Sequence, residues 1–117
     1  KAQAWSQIKS QPMPRSHVET SSLVMNRKLV LVGGRTSNWD NAPSIIEYDP
    51  VRDAWSWLRS LPAGGRLSPA AGFFENVTVQ GVKGNFIVVT CGMSDQEPFD
   101  TWVARVLPNS QCTYDSS

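Results

Sequence analysis

Catalysis by side chains needs a base, a nucleophile or a metal-holding cluster, and this chain offers few candidates. His17 is the only histidine, and a lone histidine on a strand-like stretch reads as a structural or surface residue. No serine sits in a nucleophile elbow, and no glycine-rich loop leads into a helix. Asp49, Asp53 and Asp100 fall at turns, where a carboxylate accepts bonds from backbone N–H groups. Cys91 and Cys112 are the two cysteines, and neither has His or Cys neighbours at ligand spacing. Two unremarkable thiols or one disulfide between them both remain open. The expectation is therefore no catalytic residue, no metal site and no cofactor.

Recognition chemistry is better represented. One polar loop carries Arg35, Asn38, Trp39 and Asp40, and another carries Ser94, Asp95, Gln96 and Glu97. A tryptophan beside an arginine is the composition of an interface anchor, although Trp39 has the alternative of folding back on its own sheet. Arg15 and Arg66 each follow a proline-containing break; they either line the same surface or serve structure. Asn76-Val77-Thr78 is an N-glycosylation sequon.

The elements that must position these residues read as strands. Leu29–Val32 is a continuous apolar run that stops at Gly33-Gly34, the pattern of a strand buried on both faces. Ser44 to Asp49 ends at Asp49-Pro50, where proline removes a ladder donor. Trp55 opens a further strand. Ala4–Gln11 and the half-alternating stretch from Ser16 to Asn26 are weaker strand candidates. Pro62, Gly64 and Gly65 interrupt the chain. Asn76 to Asn85 reads as an extended hairpin, Phe86 to Thr90 as a second buried strand, and Thr101 to Leu107 as the last. No stretch holds a helical period, so the fold class is all-β.

Composition limits the rest. The 117 residues suffice for one modest core, with 40% hydrophobic and 18% charged residues and five tryptophans. A net charge of +1 leaves no electrostatic footprint for nucleic acid. No apolar run is long enough to span a bilayer, so no membrane insertion is expected. The chain opens without Met, as a mature product or a piece of a longer one would.

The sequence also repeats. Trp5 and Trp55 lie 50 apart, Arg15 and Arg66 lie 51 apart, and Gly34/Gly92, Tyr48/Val106 and Pro50/Pro108 lie 58 apart. One seven-residue insertion between Arg66 and Gly92 reconciles these offsets. Gly33-Gly34, Tyr48-Asp49-Pro50, Asp53-Ala54-Trp55 and the arginines after Pro14 and Pro62 give a unit in which the chain resembles the kelch family of β-propellers. In the second unit Cys91 stands for the first glycine, Val106 for the tyrosine and Thr113 for the tryptophan, as in a degenerate or terminal blade. The resemblance implies four-stranded antiparallel blades. Residues 1–12 would be the outer strand of a preceding blade, 13–62 one blade and 63–117 a second. Two blades do not close a ring, so further blades or another chain would complete it.

What the resemblance implies for function is a non-catalytic module, binding a protein or glycan or serving structure, through loops that bear Arg15, Arg35, Trp39, Asp40, Arg66 and Asp95. The sequon at Asn76 favours an extracellular, secreted protein over a cytoplasmic one. Two alternatives stand beside this. One is a fragment of a secreted copper-radical enzyme similar to galactose oxidase; that site needs two Tyr, two His and a Tyr-linked Cys, and one His cannot supply it whole. The other is an intracellular kelch adaptor that recruits a substrate protein.

Overall fold

Paired residues in the left-handed region make the hairpins. Asn26 and Arg27 take φ of 54° and 64°, as a two-residue type I′ turn requires, and join β1 (Ser21–Met25) to β2 (Lys28–Val32). Gln80 and Gly81, at 51° and 82°, do the same for β5 (Ala70–Val79) and β6 (Val82–Thr90). Between these hairpins lie β3 (Ile45–Asp49) and β4 (Ala54–Leu58), and after them β7 (Thr101–Val106) and the two-residue β8 (Tyr114–Asp115). This computed structural model describes residues 4–12, 19–36, 38–62, 64–93 and 100–107, and the backbone of 114–115.

The chain is all-β. Its strands form two antiparallel four-stranded meanders, ordered β1-β2-β3-β4 and β5-β6-β7-β8. Register decides what each face carries. In the first sheet Leu23 opposes Val30, and Val32 opposes Ile45, which opposes Leu58. With Met25, these side chains point toward the second sheet. There they meet Ala71, Phe73, Ile87, Val89, Ala104 and Val106, which share one face by the same alternation. That interface is the hydrophobic core. Glu47, beside Val30 on the inner face, is buried and accepts from Lys28 Nζ at 3.3 Å, so the charge has a partner.

Three sequence expectations change here. Leu29–Val32 is not buried evenly on both faces: Val30 and Val32 are buried, but on the other side Leu31 is half-buried and Leu29 exposed, because no second described sheet lies over that side. Residues 4–12 form no strand; Lys9 instead crosses β4, its N–H donating to Asp53 Oδ1 at 3.2 Å and its carbonyl accepting from Trp55 Nε1 at 2.9 Å. The tyrosine position also moves. If the pair Gly33-Gly34 corresponds to Cys91-Gly92, Leu29 corresponds to Ile87. Leu29 opposes Tyr48 and Ile87 opposes Ala104, so Ala104 rather than Val106 is the counterpart of Tyr48. The cause is the β6–β7 loop, two residues shorter than the β2–β3 loop. The β5–β6 hairpin is longer than β1–β2 by nine residues rather than seven, and carries a bulge between Phe74 and Val77.

Candidate functional site

Strand direction sorts the loops. The tight turns at 26–27, 50–53 and 80–81 lie at one end of the sheets; residues 19–20, 33–36, 38–44, 59–62, 64–69 and 91–93, with Asp100, lie at the other. The longer loops therefore share one surface.

Glycine and arginine fasten that end. Gly33 and Gly34 take φ of 73° and 102°, and the matching Cys91 and Gly92 take 63° and 82°. A Cβ on Gly33 would stand 2.5 Å from the Arg66 carbonyl oxygen, so both conformation and space call for glycine. The Gly34 N–H donates to that carbonyl at 2.8 Å, and Leu67 and Met93 exchange backbone bonds at 2.9 Å. The Arg66 side chain has 0% of its surface exposed. Its Nη1 donates to the Cys91 carbonyl at 2.9 Å and its Nη2 to Asp100 Oδ1, while Asp100 Oδ2 accepts from Trp102 Nε1 at 2.8 Å. Arg66 thus bolts the β4–β5 connection to both ends of the β6–β7 loop, and leaves no guanidinium surface for a ligand.

The β2–β3 loop is different, because its polar bonds point inward and its large side chain points out. Thr36 organises it: its hydroxyl accepts from the N–H groups of Asn38 and Asp40, both at 3.3 Å, and its carbonyl accepts from the Trp39 N–H at 3.0 Å. Its own N–H donates to the Asp40 carbonyl at 2.9 Å. Trp39 sits at the tip with φ of 67° and 75% of its surface exposed. The Arg35 guanidinium lies 5.3 Å from the Trp39 ring centroid, in cation–π range, and 3.5 Å from Glu19 Oε1. Asn41 Nδ2 donates to the Met93 carbonyl at 3.5 Å, which brings the exposed Met93 beside this loop. The surface therefore offers an aromatic plate on an arginine, a flexible thioether and the exposed carboxylate of Asp40.

Of the residues singled out in the sequence, Arg35, Trp39 and Asp40 lie together in one loop, and Arg66 lies buried beneath the same end. Arg15, Asp95, Cys112 and His17 lie outside the described residues. Cys91 is an exposed free thiol. Asn76 is exposed at the β5 bulge, toward the turn end, where its N–H donates to Asn85 Oδ1 at 3.0 Å. Thr36, Glu19 and Met93 were not singled out. The Thr36 turn had a local signal, a hydroxyl two and four residues before the amides that it holds; Glu19 and Met93 reach the loop only through tertiary contact.

A polar cluster at the turn end is structural. The Tyr48 hydroxyl donates to Asp53 Oδ1 at 2.6 Å, and the Tyr48 ring packs against Trp55 with centroids 4.9 Å apart. The bond to Asp53, and then burial, push the Tyr48 phenol up to about 12. The same bond, aided by the Lys9 amide, holds the Asp53 carboxyl below its ordinary value. Among the described residues no three His, Cys, Asp or Glu side chains gather to hold a metal ion. No helix among them is long and apolar enough to cross a membrane. No protein-family model matches the chain, and no curated protein does either.

Proposed function

We propose that this chain supplies two blades of a kelch-type β-propeller and works as a non-catalytic, extracellular binding module, whose protein partner docks on the loop end of the sheets. The observation that carries the reading is the pre-set Trp39 tip. A large aromatic residue, open to solvent and held in a left-handed turn by Thr36, has its ordering cost already met before a partner arrives. Aromatic and arginine side chains are the usual anchors of such contacts. The blade reading draws support from the two meanders, from the paired left-handed residues at Gly33-Gly34 and Cys91-Gly92, and from a core between unlike faces. The remaining blades come from outside these 117 residues.

The test is a binding screen of the purified chain against secreted proteins, with a glycan array in parallel. The expected result is a protein target that loses at least tenfold in affinity with Trp39→Ala, while the thermal midpoint stays within a degree or so, as suits an exposed loop side chain. Binding that ignores Trp39→Ala, or a signal on the glycan array alone, overturns the protein-docking reading. The extracellular setting has its own check. Expressed through a secretory eukaryotic pathway, the chain should carry an N-glycan on Asn76, since Asn76 and Thr78 are both exposed. A secreted sample in which mass spectrometry finds Asn76 unmodified would count against it.

A further inference from the structure

Within the cluster at the turn end the Tyr48 contacts belong to the sheet, but two further bonds reach outside it. Asp53 Oδ1 accepts from the Lys9 N–H at 3.2 Å, and Trp55 Nε1 donates to the Lys9 carbonyl at 2.9 Å. Both main-chain polar groups of one residue are thus taken, as the facing residue of a neighbouring strand takes them in a hydrogen-bonded pair. Neither bond involves the Lys9 side chain. The two side chains are set by a third residue, which Lys9 does not supply. The Tyr48 hydroxyl fixes the Asp53 carboxylate at 2.6 Å, and the Tyr48 ring braces Trp55 at a centroid distance of 4.9 Å. A polar pair held in place beforehand loses little freedom when main chain arrives.

The present occupant is lightly held. Residues 4–10 are all exposed, Trp5 to 98% and Ile8 to 52%. The arm therefore keeps its large apolar side chains in water while its main chain is bonded. It forms no ladder with β4. Among the described residues β4 pairs with β3 alone, and an edge strand presents backbone N–H and C=O groups along its free side. Main-chain bonds beside a free strand edge are the chemistry of extended-peptide recognition, in which the backbone supplies affinity with little regard to sequence. A resident that buries so little of itself is exchangeable.

We propose that Asp53 and Trp55, braced by Tyr48, form a binding site for extended polypeptide main chain, which residues 4–12 occupy in cis and which a free extended peptide takes when the arm is lifted. The site needs one residue with both its N–H and its carbonyl available, which excludes proline, and it reads no particular side chain there. It lies at the opposite end of the sheets from Trp39 and is independent of the loop surface assigned above. A tethered occupant on a short flexible link is present at an effective concentration on the order of millimolar. The arm therefore closes the site to weak ligands.

The experiment uses the 117-residue chain and its Lys9→Pro variant, whose arm has lost the N–H that Asp53 accepts. The probe is a fluorescent peptide of residues 4–12, followed by anisotropy. The peptide should bind Lys9→Pro about tenfold or more tightly than it binds the native chain, because no tethered competitor remains. Methylating the peptide nitrogen at the Lys9 position should cost about tenfold, one hydrogen bond to a charged acceptor. Alanine at that position should bind about as well as lysine, since only main chain is read. Adding Trp55→Phe, which keeps a ring against Tyr48 and removes the Nε1 donor, should again cost about tenfold. A second readout needs no opened variant. Trypsin cleaves after Lys9 and after Arg59, both exposed. Trp55→Phe should speed cleavage after Lys9 and leave the rate after Arg59 unchanged, and this decides the matter if Lys9→Pro does not fold. A peptide that binds the native chain and a folded Lys9→Pro chain equally, or neither, overturns the proposal. So does a methylated peptide that binds like its parent, or cleavage after Lys9 that ignores Trp55→Phe. A rise at both cleavage sites would mean that Trp55 serves the fold alone, and overturns it too.

Discussion

Arg66 separates what a residue type suggests from what its position does. In the sequence it is a cation after a glycine pair, as suited to a ligand as Arg35. In the fold its neighbours are Cys91 and Asp100, 25 and 34 residues away, and no local pattern reports them. Arg35 stays near the surface because its partners, Glu19 and Trp39, are themselves partly open. The difference is measurable. Arg66→Lys should destabilise the fold by about 2–5 kcal/mol, because one ammonium cannot serve the Cys91 carbonyl and the Asp100 carboxylate in the same planar geometry, and a buried partner is left short. Arg35→Lys should cost under about 1 kcal/mol, the range of partly exposed ion pairs. Equal midpoints for the two variants in denaturant titration would remove the structural role assigned to Arg66.

Strand positions were legible at the level of elements, because period-two alternation, Gly33-Gly34 and Asp49-Pro50 are local signals. Which face each strand covers was not. Leu29 to Val32 are all apolar, and only the second sheet, set by contacts some fifty residues away in sequence, decides that Val30 and Val32 are buried while Leu29 is open. The β3–β4 hairpin shows how a local motif is completed from afar. Tyr48 and Asp53 are near in sequence, but Lys9 adds the backbone donor that finishes the cluster. Its titration follows from the shifts. Asp53 is held below 3.8 in the fold, so its contribution is present above that value and is lost as pH falls through the lowered one. Tyr48 is raised from 10.0 to about 12, so its contribution is complete below pH 10 and is lost as pH rises toward 12. Stability measured by urea titration should therefore fall on both sides of a broad plateau. Tyr48→Phe removes the hydroxyl from both shifts, and its profile should be flatter at each end. Parallel profiles for Tyr48→Phe and the native chain would show that the bond does not couple to folding.

For the whole molecule, the decisive quantity is where apolar surface ends up. A sheet of this kind has two apolar faces and can bury both only between two neighbours. Here the inner pair is buried within one chain, while Val24, Leu29 and Trp57 on the outer face of the first sheet are exposed, so the same kind of substitution should have two different costs. Ile87→Ala removes a side chain from the intramolecular core and should cost about 2–5 kcal/mol, whatever the protein concentration. Leu29→Ala alters the counterpart position on the outer face. When the chain is dilute it should cost well under half as much, since Leu29 is already partly in water. Thermal midpoints of the native chain, Ile87→Ala and Leu29→Ala, taken across a hundredfold range of concentration, separate these cases. The gap between the native chain and Ile87→Ala should be the larger of the two throughout. A Leu29→Ala gap as large as that of Ile87→Ala would mean that Leu29 is packed in the folded chain and that the face it lies on is no edge of the core.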